Sequence, residues 1–182
     1  MTDHNAPALM VDIETMGTRP TSAITSIGAV LFDPRSDWIG DTFTIHVSLE
    51  NCLRNGLTVD ASTITWWLNQ DDAARLTLVR GQNDPAPLYT AMAAFAEFFP
   101  AGAEIWCLGA SYDLPILANA YHAVGQEPPW EYRNERCLRT LKGLNKGLRI
   151  ERTGTHHNAL DDAIYQARLV QHILQFNPDL DS

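Results

Sequence analysis

Acidic side chains stand beside apolar segments at three separate places in this chain. Asp12 and Glu14 follow the apolar run that begins at Ala8. Alternate residues of a strand share one face, so these two carboxylates are expected to point the same way, roughly 7 Å apart. Such a pair repels unless a cation neutralises it, and a divalent ion with oxygen ligands is the simplest candidate. The alternative is a strand that ends at Ile13 and leaves two solvated acids in a loop.

Two further acids lie near the starts of expected helices. Asp113 follows a short apolar strand, where it is expected to be a helix N-cap. A helix N-terminus at the carboxyl end of a strand is also where open α/β sheets bind ligands. Asp162 lies early in the last helix, behind the expected N-cap Asn158, and can face inward. His157, with an ordinary pKa of about 6.5, is either a surface residue or a general base beside these acids.

The elements that must hold these residues are three strands followed by helices that alternate with two more strands. Strands are predicted at 8–13, 23–32, 38–47, 104–108 and 130–132, and helices at 58–68, 71–80, 84–99, 113–124 and 158–176. This order describes an α/β (α+β) sheet covered by helices. Apolar spacing within the predicted helix 58–68 places Ile64, Trp67 and Leu68 on its core face.

Length and composition favour one globular unit. The chain has 182 residues, of which 45% are hydrophobic, which predicts a single domain over 1–182 with its core at about 8–176. No apolar run approaches the ~18 residues that a bilayer span requires, so no membrane partner is expected. The N-terminus lacks the positive region of a signal peptide. The three cysteines form no CxxC pair, which favours reduced thiols in a cytoplasmic protein.

The charge distribution bears on nucleic acid as a partner. A net charge of −9 argues at first against it, because phosphate binding normally uses a basic surface. Without the four acids Asp12, Glu14, Asp113 and Asp162, however, the balance is −5. Seven of the 13 basic residues lie between 131 and 152, where the net charge is +4. This segment is either the solvated face of a short amphipathic helix or a surface that steers phosphates.

The order of these motifs resembles one enzyme family. VDIETMGT, GASYDLPIL and HNALDDAIYQARL resemble the DEDDh 3'→5' exonucleases over roughly residues 8 to 176. SAITSIGAVLFDP, TITWWLNQ and CLRTLKGL are similar to a branch that contains phage exonuclease A and related bacterial 3'→5' exoribonucleases. The resemblance implies a ribonuclease-H-like mixed sheet of three antiparallel strands and then two parallel strands. It also implies release of nucleoside monophosphates from single-stranded 3' ends or 3' overhangs, with RNA favoured over DNA. Dimers occur in the broader family, so a homodimer is a candidate assembly.

The resemblance further implies a two-metal phosphodiesterase that uses Mg²⁺ or Mn²⁺, with two ions per active site. In that scheme Asp12 bridges both cations, while Glu14 and Asp162 complete the first. Asp113 holds the second cation through water, and His157 deprotonates the attacking water.

Residues expected to contact the substrate lie near these acids and in the basic segment. They are Thr15, Met16, Gly17, Trp66, Tyr112, Arg139 and Lys142. Met16 is expected to wedge against the terminal base. Trp66 is expected to be exposed enough to stack on a base, which is worth ~1–3 kcal/mol per base. Trp67 is expected in the core.

Two other functions use similar residues. A ribonuclease-H or integrase-like endonuclease also clusters carboxylates on such a sheet, although His157 five residues before Asp162 favours the exonuclease. A catalytically inactive domain that binds nucleic acid or cations is the second alternative. Candidates at all five catalytic positions argue against it.

Overall fold

A five-stranded mixed sheet forms the centre of the molecule. The computed structural model describes residues 7–152, 154 and 157–176. The strands are β1 (Ala8–Thr15), β2 (Ile24–Phe32), β3 (Ile39–His46), β4 (Ile105–Cys107) and β5 (Glu135–Cys137). They lie in the order β3-β2-β1-β4-β5. β1 pairs antiparallel with β2, as β2 does with β3, whereas β1–β4 and β4–β5 are parallel. The predicted mixed sheet is therefore confirmed.

Seven α-helices are found among the described residues. They are α1 (Leu49–Arg54), α2 (Ala61–Leu68), α3 (Asp72–Gly81), α4 (Leu88–Phe98), α5 (Asp113–Ala123), α6 (Leu138–Leu144) and α7 (Ala159–Phe176). α1 was not predicted. α4 begins later than predicted because Pro87, which lacks an N–H, takes the N-cap position. None of the described helices combines the length and apolarity needed to cross a membrane.

The predicted strand at 130–132 is wrong. A 3₁₀ turn covers Tyr132–Asn134, and β5 follows it at Glu135–Cys137. The strand lies where the chain pairs with β4, with Ile105 opposite Glu135. That pairing depends on residues distant in sequence, so the aromatic residues around Trp130 gave a misleading local signal.

β1 is buried on both faces, as its continuous apolar run predicts. Leu9, Val11 and Ile13 join one hydrophobic cluster, whereas Ala8 and Met10 join a second cluster beneath α7. The apolar stripe predicted for α7 is confirmed, with its members all buried: Ala159, Ala163, Gln166, Ala167 and Val170. The sheet thus lies between two layers of helix, and β1 is held firmly at its centre.

α2 is anchored through a single side chain. Trp67 is buried as predicted, and its indole N–H donates a hydrogen bond of 3.0 Å to the Thr15 carbonyl at the end of β1. Ile64 and Leu68 are exposed, so the prediction that they share a core face with Trp67 is wrong. The helix is short and lies over the end of the sheet, where only one residue reaches the core.

Gly28 on β2 allows α7 to approach the sheet closely. A Cβ at this position would overlap the backbone of Ala159 and Leu160 at the start of α7. We expect Gly28→Ala to lower the free energy of unfolding by about 1–3 kcal/mol, because backbone atoms cannot move aside as a flexible side chain can. Urea unfolding measures this change. Gly143→Ala is the control, since a Cβ there meets nothing within 4 Å, and equal destabilisation by both substitutions would contradict the argument.

Candidate active site

A cavity of about 620 Å³ opens at the carboxyl end of β1. Its walls include all five predicted catalytic residues: Asp12, Glu14, Asp113, His157 and Asp162. Four of the predicted substrate contacts also line it: Thr15, Trp66, Tyr112 and Arg139. The fold therefore brings together residues from β1, α2, α5, α6 and α7 that are up to 150 positions apart.

The first acidic pair lies within a strand. β1 continues to Thr15, and Asp12 pairs with Gly28 while Glu14 pairs with Ser26 on β2. The alternative of two solvated acids in a loop is therefore wrong. Because the two residues are two positions apart on a strand, both carboxylates face the cavity.

Asp113 is buried, but it is not the predicted N-cap. Tyr112 takes the N-cap position of α5, and Asp113 is the first helical residue. The Gly109 N–H donates to Asp113 Oδ2 over 3.3 Å. The chain thus turns back after β4, which puts this carboxylate in the cavity wall rather than over the end of its own helix.

Burial and mutual repulsion disfavour the charged forms of the acids on β1 and α5. Burial, followed by the charges of Asp113 and Glu14, raises the pKa of Asp12 well above its usual value. Burial and Asp113 raise the pKa of Glu14 to about 7. Burial raises the pKa of Asp113 to about 6, against opposing hydrogen bonds. A cation bound among these three carboxyl groups would favour their charged forms again.

We expect the stability of the metal-free protein to fall as pH rises from about 4 to about 7. Glu14 and Asp113 have pKa values in the folded state above their ordinary values of 4.5 and 3.8. The folded protein therefore binds more protons than the unfolded chain in this interval, and the free energy of unfolding decreases with pH. Thermal melts in EDTA at pH 5 and pH 7.5 measure the effect. Mg²⁺ is expected to raise Tm more at pH 7.5, where the carboxylates are ionised.

Glu14→Gln is the matched variant for this prediction. It removes one of the carboxyl groups whose pKa is raised in the folded protein, so the dependence of Tm on pH in EDTA should become shallower. Identical slopes for the variant and the wild-type protein would contradict the assignment of the pH dependence to this site.

His157 and Asp162 are joined by local geometry at the start of α7. Asn158 is the N-cap, as predicted, since its Oδ1 accepts from the N–H groups of Leu160 and Asp161 over 3.1 Å each. His157 has φ of +59°, a left-handed conformation in which His is more common than most residues. Its N–H donates to Asp162 Oδ2 over 3.2 Å.

The His157 ring is held against two tryptophans. Its centroid lies 4.9 Å from that of Trp66 and 6.0 Å from that of Trp67, both nearly edge-to-face. Trp66 is 43% exposed, as predicted, so it can contact the imidazole on one side and remain accessible on another.

Ligand atoms of Glu14, His157 and Asp162 all lie within 4.8 Å of one another. Carboxylate oxygens and imidazole nitrogens are both ligands that divalent cations bind in proteins. Asp12 and Asp113 extend this donor set along the same cavity. The residues present therefore fit a divalent metal site.

Three predicted substrate contacts do not line the cavity. Met16 is 6% exposed and packs in the core cluster beneath β1, so the prediction that its side chain wedges against a base is corrected. Gly17 is also buried, and Lys142 is exposed on α6 outside the cavity wall. The chain turns after Thr15, which sends the Met16 side chain into the core.

The Gly17 carbonyl has a structural role in the loop after β1. It lies 2.7 Å from Thr15 Oγ1 and 3.2 Å from the Tyr112 hydroxyl, as an acceptor for either. The two hydroxyls lie 2.7 Å apart, so one can donate to the other while the other donates to the carbonyl. These bonds connect the end of β1 to the start of α5.

Among the polar residues of the cavity wall that sequence reasoning missed, two contact the predicted acids: Arg152 and Gln166. Arg152 forms an ion pair with Asp162, and its guanidinium lies 4.9 Å from the centre of the Tyr165 ring. Gln166 donates from Nε2 to Asp12 Oδ1 over 2.7 Å. Gln166 had a detectable signal, since it interrupts the apolar stripe of α7 one turn after Asp162. For Arg152 the only signal in the sequence was its membership of the basic segment at 131–152.

The sequence is similar to a nuclease family and to a phage nuclease. Residues 7–174 match the family described as 3'-5' exoribonuclease Rv2179c-like domain. The exodeoxyribonuclease of Enterobacteria phage T4 is 28% identical over an alignment of 123 residues that covers 60% of this chain and 53% of that protein.

Solved structures share the fold. E. coli exonuclease I in complex with a dT13 oligonucleotide has a TM-score of 0.72 at 12% identity, over 97% of this chain and 43% of that chain. The zinc-bound form of the E. coli exonuclease I complex with single-stranded DNA has a TM-score of 0.74 at 13% identity, over 97% and 42%. The chain thus spans about half the length of the relatives it matches.

Proposed function

Since the chain belongs to the 3'-5' exoribonuclease Rv2179c-like domain family, we propose that it is a metal-dependent 3'→5' exonuclease that releases nucleoside monophosphates from single-stranded 3' ends. The observation that carries this proposal is the meeting of four carboxylates and His157 in one cavity at the end of β1. The family match covers residues 7–174, and its description names a 3'-5' exoribonuclease.

The carboxylates are proposed to hold two divalent cations, Mg²⁺ or Mn²⁺. Asp12 is central because it lies on the middle strand of the sheet, with Glu14 on the same strand and Asp113 close enough to raise its pKa. Asp162 approaches from α7, near Glu14. Cations held by these carboxylates would supply positive charge that stabilises the attacking and leaving oxygens of the hydrolysed phosphodiester.

His157 is proposed to take the proton from the attacking water. It adjoins Glu14 and Asp162, and contacts with Trp66 and Trp67 fix the position of its ring. An imidazole titrates near neutral pH, so it can accept a proton during hydrolysis and return it to solvent afterwards.

The substrate is proposed to enter past Trp66 and Arg139. Trp66 is partly exposed at the cavity wall and can stack on a base without regard to its identity. Arg139, at the start of α6, brings a positive charge into the cavity wall near Asp113 and can bind a phosphate. Thr15 and Tyr112 can contact the terminal nucleotide, and Lys142 is proposed to attract the strand from outside the cavity.

RNA is proposed as the preferred substrate. The matched family is described as an exoribonuclease, whereas the phage T4 relative is an exodeoxyribonuclease, and E. coli exonuclease I is seen with DNA oligonucleotides. The family match covers more of this chain than the phage relative does, so it carries more weight for this chain.

Degradation of end-labelled oligonucleotides tests the reaction. With Mg²⁺ or Mn²⁺, a 3'-labelled strand should release labelled mononucleotide at once, and a 5'-labelled strand should shorten stepwise. EDTA should stop both. Cleavage of a circular single strand would instead identify an endonuclease, and binding without any cleavage would identify an inactive nucleic-acid-binding domain.

A matched set of strands tests the sugar preference. An RNA, a DNA of the same sequence, and that DNA with one ribonucleotide at its 3' end should be compared at equal concentration. Discrimination between RNA and DNA depends on a contact with the 2'-hydroxyl. Faster release from the RNA and from the single-ribonucleotide strand is expected, and equal rates on all three would contradict the preference.

A further inference from the structure

Gln166 is an amide buried in the apolar face of α7. It follows Asp162 by one helical turn, is 5% exposed and lies in the cavity wall. Its Nε2 donates to Asp12 Oδ1 over 2.7 Å, across 154 positions of sequence. A neutral side chain therefore donates a short hydrogen bond to the acid at the centre of the site.

The charged groups around Asp12 act on it in opposite directions. The carboxylates of Asp113 and Glu14 repel it, whereas the Arg152 guanidinium attracts it. Rotation of an aspartate carboxylate about its last torsion is broad and has no sharp energy well. A hydrogen-bond donor that is fixed in a packed helix can restrict this torsion to one orientation. Repulsion from the other acids does not select a single orientation.

The second polar atom of Gln166 supports a role directed at Asp12. Its Oε1 is buried and has no hydrogen-bond partner in the part of the chain that the structure describes. A buried acceptor without a partner costs stability that an apolar side chain of the same shape would not cost. Packing of α7 alone does not explain an amide at this position.

We propose that Gln166 is a positioning residue that fixes the orientation of the Asp12 carboxylate for a divalent cation. This inference rests on the proposed function, because it concerns the same site. Hydrogen bonds to metal-binding carboxylates typically change metal affinity by about 10–100-fold. Loss of the Gln166 donor should therefore weaken cation binding before any effect on substrate binding.

The same helix offers a matched control. Gln171 is 3% exposed, and its Nε2 donates to two backbone carbonyls, Asp33 over 3.1 Å and Trp38 over 2.8 Å. It is therefore as buried as Gln166, loses comparable hydrogen bonds on substitution, and touches no carboxylate in these contacts. A purely structural effect should appear equally in both positions.

Calorimetric titration with Mn²⁺ tests the proposal on Gln166→Met and Gln171→Met, each with a thermal melt in EDTA. Methionine keeps the length and volume of the side chain and removes the donor. We expect Gln166→Met to weaken Mn²⁺ binding about 10–100-fold, whereas Gln171→Met lowers Tm and leaves Mn²⁺ affinity unchanged. Gln166→Asn, which keeps an amide but cannot reach Asp12, provides the same test if the methionine variant does not fold.

The outcomes separate this inference from the proposed function. If the wild-type protein binds Mn²⁺ and folded Gln166→Met or Gln166→Asn binds it equally well, the positioning role is overturned and the metal site stands. Equal weakening by Gln171→Met also overturns it. If the wild-type protein binds no Mn²⁺, the metal-dependent function fails, and the inference fails with it.

Discussion

Asp12→Asn is expected to abolish cleavage while making the metal-free protein more stable. Asp12 is proposed to contact both cations, so its loss should lower the rate at saturating Mg²⁺ by at least about 10³-fold, or ~4 kcal/mol in transition-state stabilisation. Asparagine keeps the shape and an oxygen that can accept from Gln166. The rate is measured with a 5'-labelled oligonucleotide under single-turnover conditions.

The gain in stability has an independent cause. Burial, Asp113 and Glu14 all disfavour the charged Asp12 carboxylate. A neutral amide in its place removes that cost, which we expect to be on the order of 1 kcal/mol at pH 7.5, or about 2–4 °C in Tm for a chain of this size. The melts are recorded in EDTA, where the cation cannot compensate.

Asp161→Asn is the control for this substitution. It removes the same charge one position before a proposed ligand, but Asp161 does not line the cavity. Its activity should stay near that of the wild-type protein. Cleavage that survives Asp12→Asn, or an inactive variant that is also less stable than the wild-type protein in EDTA, would contradict the proposed role.

His157→Gln is expected to lower the rate of hydrolysis by about 10²–10⁴-fold, the range for loss of a general base. Because a proton acceptor acts in the chemical step, Mn²⁺ affinity and substrate KM should change little. The rise of the wild-type rate with pH around the pKa of an imidazole should disappear from the variant profile. Single-turnover rates between pH 5 and pH 9 measure both effects.

The cluster of His157 with Glu14 and Asp162 defines the competing outcome. If the imidazole is a metal ligand rather than a base, His157→Gln should weaken Mn²⁺ binding strongly in calorimetry, and added Mn²⁺ should restore much of the rate. His122→Gln is the control, since His122 is exposed and bonds to Glu127 on the surface. It should leave the rate, the pH profile and the cation affinity unchanged.

The sequence by itself was sufficient to predict four of the five strands, most helices and the carboxylates that line the cavity. β1 could be predicted because a strand buried on both faces requires an uninterrupted apolar run. The shared orientation of Asp12 and Glu14 follows from the two-residue repeat of a strand. The N-cap Asn158 and the buried stripe of α7 were equally local signals. Such features depend on residues that are neighbours in sequence, so they can be predicted from the local pattern of residue types.

Features that depend on distant partners were decided only by the tertiary structure. Met16 packs in the core and does not line the cavity, because the chain turns after β1. β5 lies at Glu135–Cys137, where it pairs with β4, and not at 130–132, where the aromatic residues suggested a strand. The bond from Gln166 to Asp12 spans 154 positions. No local periodicity encodes these contacts: the Gln166 bond forms only when α7 packs across the sheet to the end of β1, and β5 forms only when it pairs with β4.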